Sequence, residues 1–172
     1  AALALQNHST VIQTLIRYGP VRTWKVANVK DFSSAFYRND VLKQGRLDWD
    51  VARGIDFSEM FLGAAKFDGN IIDWRVSQGI NFSGMFMNST KFNQNISGWD
   101  TSRATDLSNM FTQAVVFNQD IGQWNVGSCA NFSSMFEGAV EFNQDIGNWN
   151  VSRSMGFSNM FKGSIAFNVS IG

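Results

Sequence analysis

The chain has few of the residues on which catalytic and metal sites depend. It contains one cysteine, Cys129, one histidine, His8, and one proline among 172 residues. A single cysteine forms no internal disulfide, and one cysteine with one histidine leaves no Ser-His-Asp, Cys-His or zinc-ligand arrangement within the chain. A glycine-rich phosphate loop is also missing. We therefore expect a protein that is not an enzyme, with no metal site and no cofactor.

Charge and hydropathy argue against two further classes of protein. The 14 basic residues balance the 14 acidic residues, so the formal net charge is zero. Domains that bind nucleic acid usually carry a basic patch, which this balance does not predict. No stretch approaches the roughly 18 consecutive apolar residues of a membrane-spanning helix. We expect neither nucleic acid as a partner nor a transmembrane segment in this chain.

Tryptophan recurs with a fixed period. Successive tryptophans lie 25 residues apart without a slip, at Trp24, Trp49, Trp74, Trp99, Trp124 and Trp149. A period of this length is typical of repeat proteins, in which each repeat buries its apolar face only by stacking on its neighbours. We number the repeats 1 to 6 from these tryptophans.

The residues around each tryptophan predict a strand. Ile121, Trp124 and Val126 of repeat 5 form an Ile-x-x-Trp-x-Val pattern that recurs in other repeats. Its spacing is that of the Leu-x-x-Leu-x-Leu signature of leucine-rich repeats, where a short strand alternates between core and surface. The pattern predicts a short parallel strand at each tryptophan.

A second pattern, later in each repeat, predicts a helix. In repeat 5 it consists of Phe132, Met135 and Phe136, whose i, i+3, i+4 spacing places three side chains on one helical face. Asn131 is a suitable N-cap and Gly138 a suitable left-handed C-cap. We expect a helix of two turns at most in every repeat.

An asparagine follows a phenylalanine in the returning part of several repeats. Phe117-Asn118-Gln119 is matched by 92–94 and by 142–144. Stacked asparagines satisfy backbone groups of their own and the neighbouring repeat, because turns inside a stack cannot all reach water. The pattern predicts an internal asparagine ladder; an asparagine-rich ligand site is the less favoured interpretation.

The two ends of the sequence differ from the repeats. Residues 1–19, which include His8, carry an apolar helical stripe and are interpreted as an N-terminal cap helix, ended by Gly19-Pro20. Residues 20–172 then form six repeats, the last one cut before its next tryptophan. Taken together, the patterns predict an α/β repeat solenoid of leucine-rich-repeat type with a cap helix.

The run from Phe117 to Val126, followed by Asn131 to Phe136, carries a family resemblance. It resembles the BspA-like variant of the leucine-rich repeat found in bacterial surface proteins and mycoplasma-type lipoproteins, and also in marine algae. The resemblance covers about residues 19–172 and implies a non-catalytic, right-handed solenoid used for adhesion or protein binding. Repeat 1 departs from the family pattern at Leu42 and Arg46.

Two surfaces are candidates for binding a partner. One is the predicted exposed strand face with the residues beside it, Asp50, Arg53, Arg75, Asp100, Arg103, Asn125, Asn150 and Arg153. The other is the C-terminal end, where the sequence stops before the next tryptophan. Its apolar residues are Phe161, Phe167 and Ile171, and we expect them to be covered by a further repeat, disordered residues or another subunit. A weak Ca²⁺ site at Asp48, Asp50 and Asp73 is a minor alternative, since no calcium-loop spacing is present.

These observations favour a non-enzymatic module or scaffold for protein–protein interaction, and this hypothesis includes an accessory subunit of a larger assembly. The alternative is a cell-surface adhesin or host-contact protein, as the resemblance implies. A glycan hydrolase is least favoured, because no pair of acidic residues has a suitable setting. The visible sequence leaves the compartment open.

Overall fold

The computed structural model describes residues 20–39, 42–43 and 45–171. Within these ranges the regular elements are a 3₁₀ helix, Val21–Thr23, and isolated parallel bridges between repeats. The bridges are Asp31↔Asp56, Arg46↔Asn70, Asp56↔Asn81, Asn81↔Asp106, Asp106↔Asn131 and Asn131↔Gly156. The predicted cap helix over residues 1–19, with His8, lies outside the described residues, and the boundary at residue 20 stays a prediction.

The predicted α/β solenoid of leucine-rich-repeat type is wrong, because the described chain has neither a sheet nor a helix in each repeat. No strand forms at the tryptophans within these residues. The N–H of Trp124 donates to the C=O of Ile121 at 3.1 Å, and the N–H of Cys129 to that of Val126 at 2.9 Å, so this stretch consists of turns. The parallel bridge of repeat 5 comes seven residues after Trp124, at Asn131.

The segment predicted as a helix is a series of tight turns. The N–H of Met135 donates back to the C=O of Phe132 at 3.0 Å, whereas the N–H of Phe136 donates to Met160 of the next repeat at 2.9 Å. Ser134 and Gly138 have φ angles of 56° and 67°, and left-handed residues interrupt an α-helix. Because the three apolar side chains face the core in turns as they would in a helix, their spacing could not separate the two structures.

The residue predicted as a helix N-cap instead closes a turn with its side chain. Asn131 Oδ1 accepts the N–H of Ser133 at 3.0 Å, and Asp56 does the same for Ser58 at 2.9 Å. Asparagine and aspartate favour both helix N-caps and such side-chain turns. This shared preference explains why the sequence pattern favoured the wrong element.

Backbone hydrogen bonds join successive repeats in the same way along the stack. In each of repeats 1 to 5, four alternate N–H groups donate to C=O groups 24 residues further on, at 2.6–3.0 Å. In repeat 5 these donors are Phe132, Ser134, Phe136 and Gly138. We call this set of bonds the backbone ladder. All four donors of a repeat point toward the following repeat, so the two ends of the stack differ.

Aromatic rings fill the core in columns along the stack. One column runs through Phe36, Phe61, Phe86, Phe111, Phe136 and Phe161, with neighbouring centroids 5.3–5.8 Å apart. Each of its members from Phe61 onward also stacks on a second phenylalanine of its own repeat, as Phe111 does on Phe117 at 3.9 Å. Tryptophans stack as well, with Trp49 and Trp74 6.2 Å apart and nearly parallel. This column packing explains why the 25-residue period tolerates no slip.

The predicted asparagine ladder is confirmed. Asn118 Oδ1 accepts the backbone N–H of Asn143 at 3.0 Å and the Nε2–H of Gln144 at 2.8 Å. Asn93 accepts the same pair of donors from Asn118 and Gln119, at 3.0 and 2.9 Å. Each asparagine thus satisfies a turn of the next repeat through one oxygen.

Candidate functional site

The eight polar residues of the candidate strand face are all exposed, although no strand underlies them in the described chain; they are Asp50, Arg53, Arg75, Asp100, Arg103, Asn125, Asn150 and Arg153. We call them the lateral polar set. Asp100 Oδ1 accepts the N–H of Ser102 at 3.0 Å, and Asn125 accepts that of Gly127 at 3.2 Å. The lateral polar set therefore includes side chains that close the turn after a tryptophan.

Two arginines of the lateral polar set, Arg53 and Arg103, bind the preceding repeat. Arg53 Nη1 donates to Asn28 Oδ1 at 3.1 Å, and Arg103 Nη1 donates to Gln78 Oε1. Hydrogen bonds from the Ser102 hydroxyl and N–H lower the pKa of Asp100 below its ordinary value. A carboxyl held in the ionised form in this way is a poor general acid. These contacts give Arg53, Asp100 and Arg103 a structural role.

The position of Arg46 contradicts the minor hypothesis of a Ca²⁺ site, because a cationic side chain lies between two of the proposed ligands. Its guanidinium pairs with Asp48 and, at 2.9 Å, with Asp73. Arg46 departs from the repeat pattern, which has an isoleucine at this position. In this repeat the neighbouring residue, Leu47, is buried instead. The described residues contain no group of three or more His, Cys, Asp or Glu side chains placed to hold a metal ion.

Cys129 is a core residue. Its side chain is fully buried, and burial raises the pKa of the thiol to about 11. Thiolate is the reactive form of cysteine, so a buried thiol with a raised pKa is a poor nucleophile near neutral pH.

The C-terminal end of the stack exposes side chains that are buried elsewhere. Phe157 is 42% exposed, whereas its equivalents Phe57, Phe82 and Phe132 are 0% exposed. Val151 is 40% exposed against 1% for Val126, and Ile171 is 53% exposed. We define the end face as Val151, Phe157, Phe161, Phe167 and Ile171.

The end face is concave rather than flat. A pocket of about 440 Å³ lies between Ile146, Trp149, Val151, Met160 and Ile171, with Phe157, Phe161 and Lys162 at its walls. Lys162 pairs with Glu137 of the preceding repeat at 2.9 Å, so its ammonium is held to the side of the stack. The lining is therefore mainly apolar, with one cation at its margin.

The sequence profile of a family described as "Mycoplasma protein of unknown function, DUF285" matches residues 6–114 and 94–172. The chain belongs to this family. Neither a curated protein nor a solved structure matches it. Among the described residues of this DUF285 chain, no helix has the length and apolar character needed to cross a bilayer.

Sequence reasoning found only part of the end face of this DUF285 protein. It named Phe161 and Phe167, which are half-buried, and Ile171, which is exposed. It did not name Val151 or Phe157 as site residues, and both are more exposed than the two named phenylalanines. The signal was present, since both occupy repeat positions whose side chains are apolar in the preceding repeats.

Proposed function

We propose that the chain is a non-enzymatic protein-interaction module and that its binding surface is the end face. The main support is a difference in side-chain exposure between equivalent positions of two repeats. Phe157 is 42% exposed, whereas Phe132 is 0% exposed. Contiguous exposed apolar surface is typical of sites that bind other proteins. The resemblance to BspA-like repeats supports the same class of function.

The lateral polar set is the weaker candidate surface. Asp100, Arg103 and Asn125 already bind backbone or side-chain groups of the chain itself. Exposed polar side chains with such contacts have a structural explanation, and rim charges usually contribute little to affinity. Phe157 and Ile171 of the end face remain 42% and 53% exposed despite the contacts that the described residues make with this face.

A photo-crosslinking experiment tests this assignment. A photoreactive amino acid replaces Ile171 on the end face in one protein and Ile72, which is 46% exposed in repeat 3, in the control. Native extract is added before irradiation. We expect a discrete polypeptide adduct from position 171 that disappears when excess unlabelled protein competes, and none from position 72.

A companion variant, Asp100→Arg with Arg103→Glu, reverses two charges of the lateral polar set. It should leave the adduct at position 171 unchanged. Loss of the adduct in this variant, or an adduct from position 72 alone, would move the binding surface to the side of the stack. A cell-surface adhesin remains the alternative prediction and differs in the location of the protein rather than in this test.

A further inference from the structure

The side of the stack that carries the asparagine ladder also carries a group of lysines. Lys43, Lys66 and Lys91, one from each of repeats 1 to 3, line a groove of about 430 Å³ together with Asp68. All three lysines are exposed. We call this site the lysine groove. It runs along the side of the stack, where each of these repeats meets solvent whether or not further repeats follow.

Asp68 connects the three lysines through the backbone. Its N–H donates to the C=O of Lys43 at 2.7 Å, which places it directly beside repeat 1. Lys66 precedes Asp68 by two residues in the same repeat. Lys91 precedes Asn93 by two residues, and the N–H of Asn93 donates to Asp68 Oδ1 at 3.1 Å. The groove is therefore built from hydrogen-bonded neighbours rather than from distant parts of the chain.

The charges of the lysine groove are not balanced. Phe67 and Phe92, which directly follow Lys66 and Lys91, stack with their centroids 5.8 Å apart, so the two lysines leave closely spaced backbones. Like charges on opposed residues repel each other. None of the three lysines forms an ion pair with any residue that the structure describes. Three ammonium groups against the one carboxylate of Asp68 leave a formal charge of +2, and such a groove concentrates anions.

The repeat structure does not require lysine at these positions. The position of Lys66 and Lys91 holds Val116 and Glu141 in later repeats. Lys43 occupies a position of the asparagine ladder, although its ammonium has donors and no acceptor. A structural role shared by all the repeats therefore does not account for the group.

Asp68 adds a second requirement for the ligand. Its Oδ1 accepts the N–H of Asn93 at 3.1 Å and the Nε2–H of Gln94 at 2.7 Å, as the asparagines of the ladder do. Its Oδ2 accepts no hydrogen bond from the described part of the chain. A carboxylate oxygen accepts hydrogen bonds and repels anions. A ligand that carries hydroxyl groups beside its acidic groups therefore fits better than one made of acidic groups alone.

We propose that the lysine groove binds an acidic saccharide chain. Its sulfate or carboxylate groups pair with Lys43, Lys66 and Lys91, and one of its hydroxyl groups donates to Asp68 Oδ2. Because the lysines come from successive repeats, a chain with acidic groups on successive sugars is favoured over a single acidic sugar. The volume lies within the roughly 300–1,000 Å³ of small-ligand sites, so a short segment of such a chain fits.

Single-stranded nucleic acid, another chain of anions, suits the lysine groove less well. Bases usually stack on aromatic side chains in such complexes, and no aromatic residue lines the groove among the described residues. The lysine groove is also separate from the end face, so this inference does not depend on the protein-binding function proposed above.

Titration calorimetry of the 172-residue chain tests the proposal. The probes are short chains of matched length: dextran sulfate, unsulfated dextran, oligogalacturonate and a thymidine oligonucleotide. We expect at least one of the two acidic saccharides to bind, with an affinity that falls as the salt concentration rises. Comparison of these two distinguishes sulfate from carboxylate. Unsulfated dextran should not bind, and the oligonucleotide should bind about tenfold more weakly or worse.

A matched pair of double variants locates the site. Lys66→Val with Lys91→Val introduces the residue that repeat 4 already has at this position, so the fold should be kept. Saccharide binding should weaken about tenfold, because each exposed ion pair contributes roughly two- to fivefold. The control, Lys25→Val with Lys30→Val, removes the same charge from exposed positions outside the groove and should leave binding unchanged.

Asp68→Asn tests the choice of ligand. Asparagine keeps the Oδ1 acceptor that the ladder needs, as Asn93 and Asn118 show, but places an NH₂ donor where Asp68 has Oδ2. Removal of the negative charge should strengthen oligonucleotide binding by about two- to fivefold. The saccharide also loses its hydroxyl acceptor, so we expect no such gain and a narrower preference for the saccharide.

Four outcomes would overturn the proposal. Failure of both acidic saccharides to bind would remove it outright. Equal weakening by the Lys25 and Lys30 control would show a general attraction between charges. Oligonucleotide binding as tight as that of the saccharides would assign the lysine groove to phosphate chains. An unchanged preference in Asp68→Asn would show that no hydroxyl group is recognised there.

Discussion

Repeats 5 and 6 have nearly the same sequence pattern and very different surroundings. Phe136 stacks between Phe111 and Phe161 and is fully buried, whereas Phe161 stacks on Phe136 on one side and is only half-buried. The comparison shows that a repeat does not bury its own aromatic side chains. Burial is supplied by the following repeat, so stability in this fold is a property of interfaces between neighbours.

The largest expected difference between interior and end concerns the phenylalanine column. Phe111→Ala should lower the free energy of unfolding by about 3–5 kcal/mol, because the ring is fully buried and its loss leaves a cavity. Phe161→Ala, at the same position of repeat 6, should cost markedly less, since one side of that ring has no neighbour in the described chain. Denaturant unfolding of both variants measures the difference. Equal losses would show that the end face is as well packed as the interior.

In the asparagine ladder we expect a smaller difference in stability between an interior repeat and the last repeat. Asn118→Ala removes the acceptor of two donors, the N–H of Asn143 and the amide of Gln144, and should cost about 1–3 kcal/mol. Asn168 occupies the same position in repeat 6, where its backbone N–H donates to Asn143 and its side-chain oxygen accepts no hydrogen bond from the described residues. Asn168→Ala should therefore change stability by no more than about 0.5 kcal/mol. Thermal melts of the two variants compare them directly; a large loss for Asn168→Ala would mean that its oxygen already has a partner.

A further expected effect depends on pH and appears only above about pH 8.5. Burial raises the pKa of the Cys129 thiol to about 11, so the folded chain keeps a proton that the unfolded chain loses above about pH 8.5. The free energy of unfolding should therefore fall as the pH rises between these two values, by about 1.4 kcal/mol per pH unit from this group. Cys129→Ser should remove that part of the slope, as measured by urea unfolding at several pH values.

Thiol labelling extends the same comparison to the last repeat. Ser154 occupies the position of Cys129 in repeat 6 and is only half-buried. In a Cys129→Ser background, Ser154→Cys should react with a thiol reagent at pH 8 faster than native Cys129 does, because its thiolate is more easily formed and reached. Equal rates would indicate that repeats 5 and 6 shield this position alike.

Much of the core was predictable, because burial follows side-chain type at each repeat position. Phe132, Met135 and Phe136 are all buried as their spacing predicted, and Asn118 bridges to the next repeat as expected. The backbone was not predictable in the same way. A series of turns with left-handed residues at Ser134 and Gly138 buries the same side chains as a helix would, and the choice is made by hydrogen bonds to a repeat 24 residues away.

The candidate site was also only partly predictable: the exposure of side chains could be foreseen, and the backbone hydrogen bonds could not. Ile171 could be foreseen as exposed because a further repeat would be needed to cover it. The pairing of the backbone could not be foreseen, since a helix would pair the N–H of Phe136 within its own repeat, whereas this group donates to the C=O of Met160 in the next repeat. The contact of Arg103 with Gln78 of the preceding repeat could not be predicted either, because the sequence pattern does not give the distance between the two side chains.

The common orientation of the backbone ladder gives the molecule an electrical polarity that its net charge of zero conceals. Peptide dipoles joined head to tail add up along their axis, as they do in an α-helix, and leave partial positive charge where N–H groups end the series. Here four such series run side by side through repeats 1 to 6, while one series, which includes the bond from the N–H of Ile80 to the C=O of Ile55, runs the other way. The stacked repeats therefore carry a net dipole along the stacking axis, with its positive end toward the C-terminal repeats.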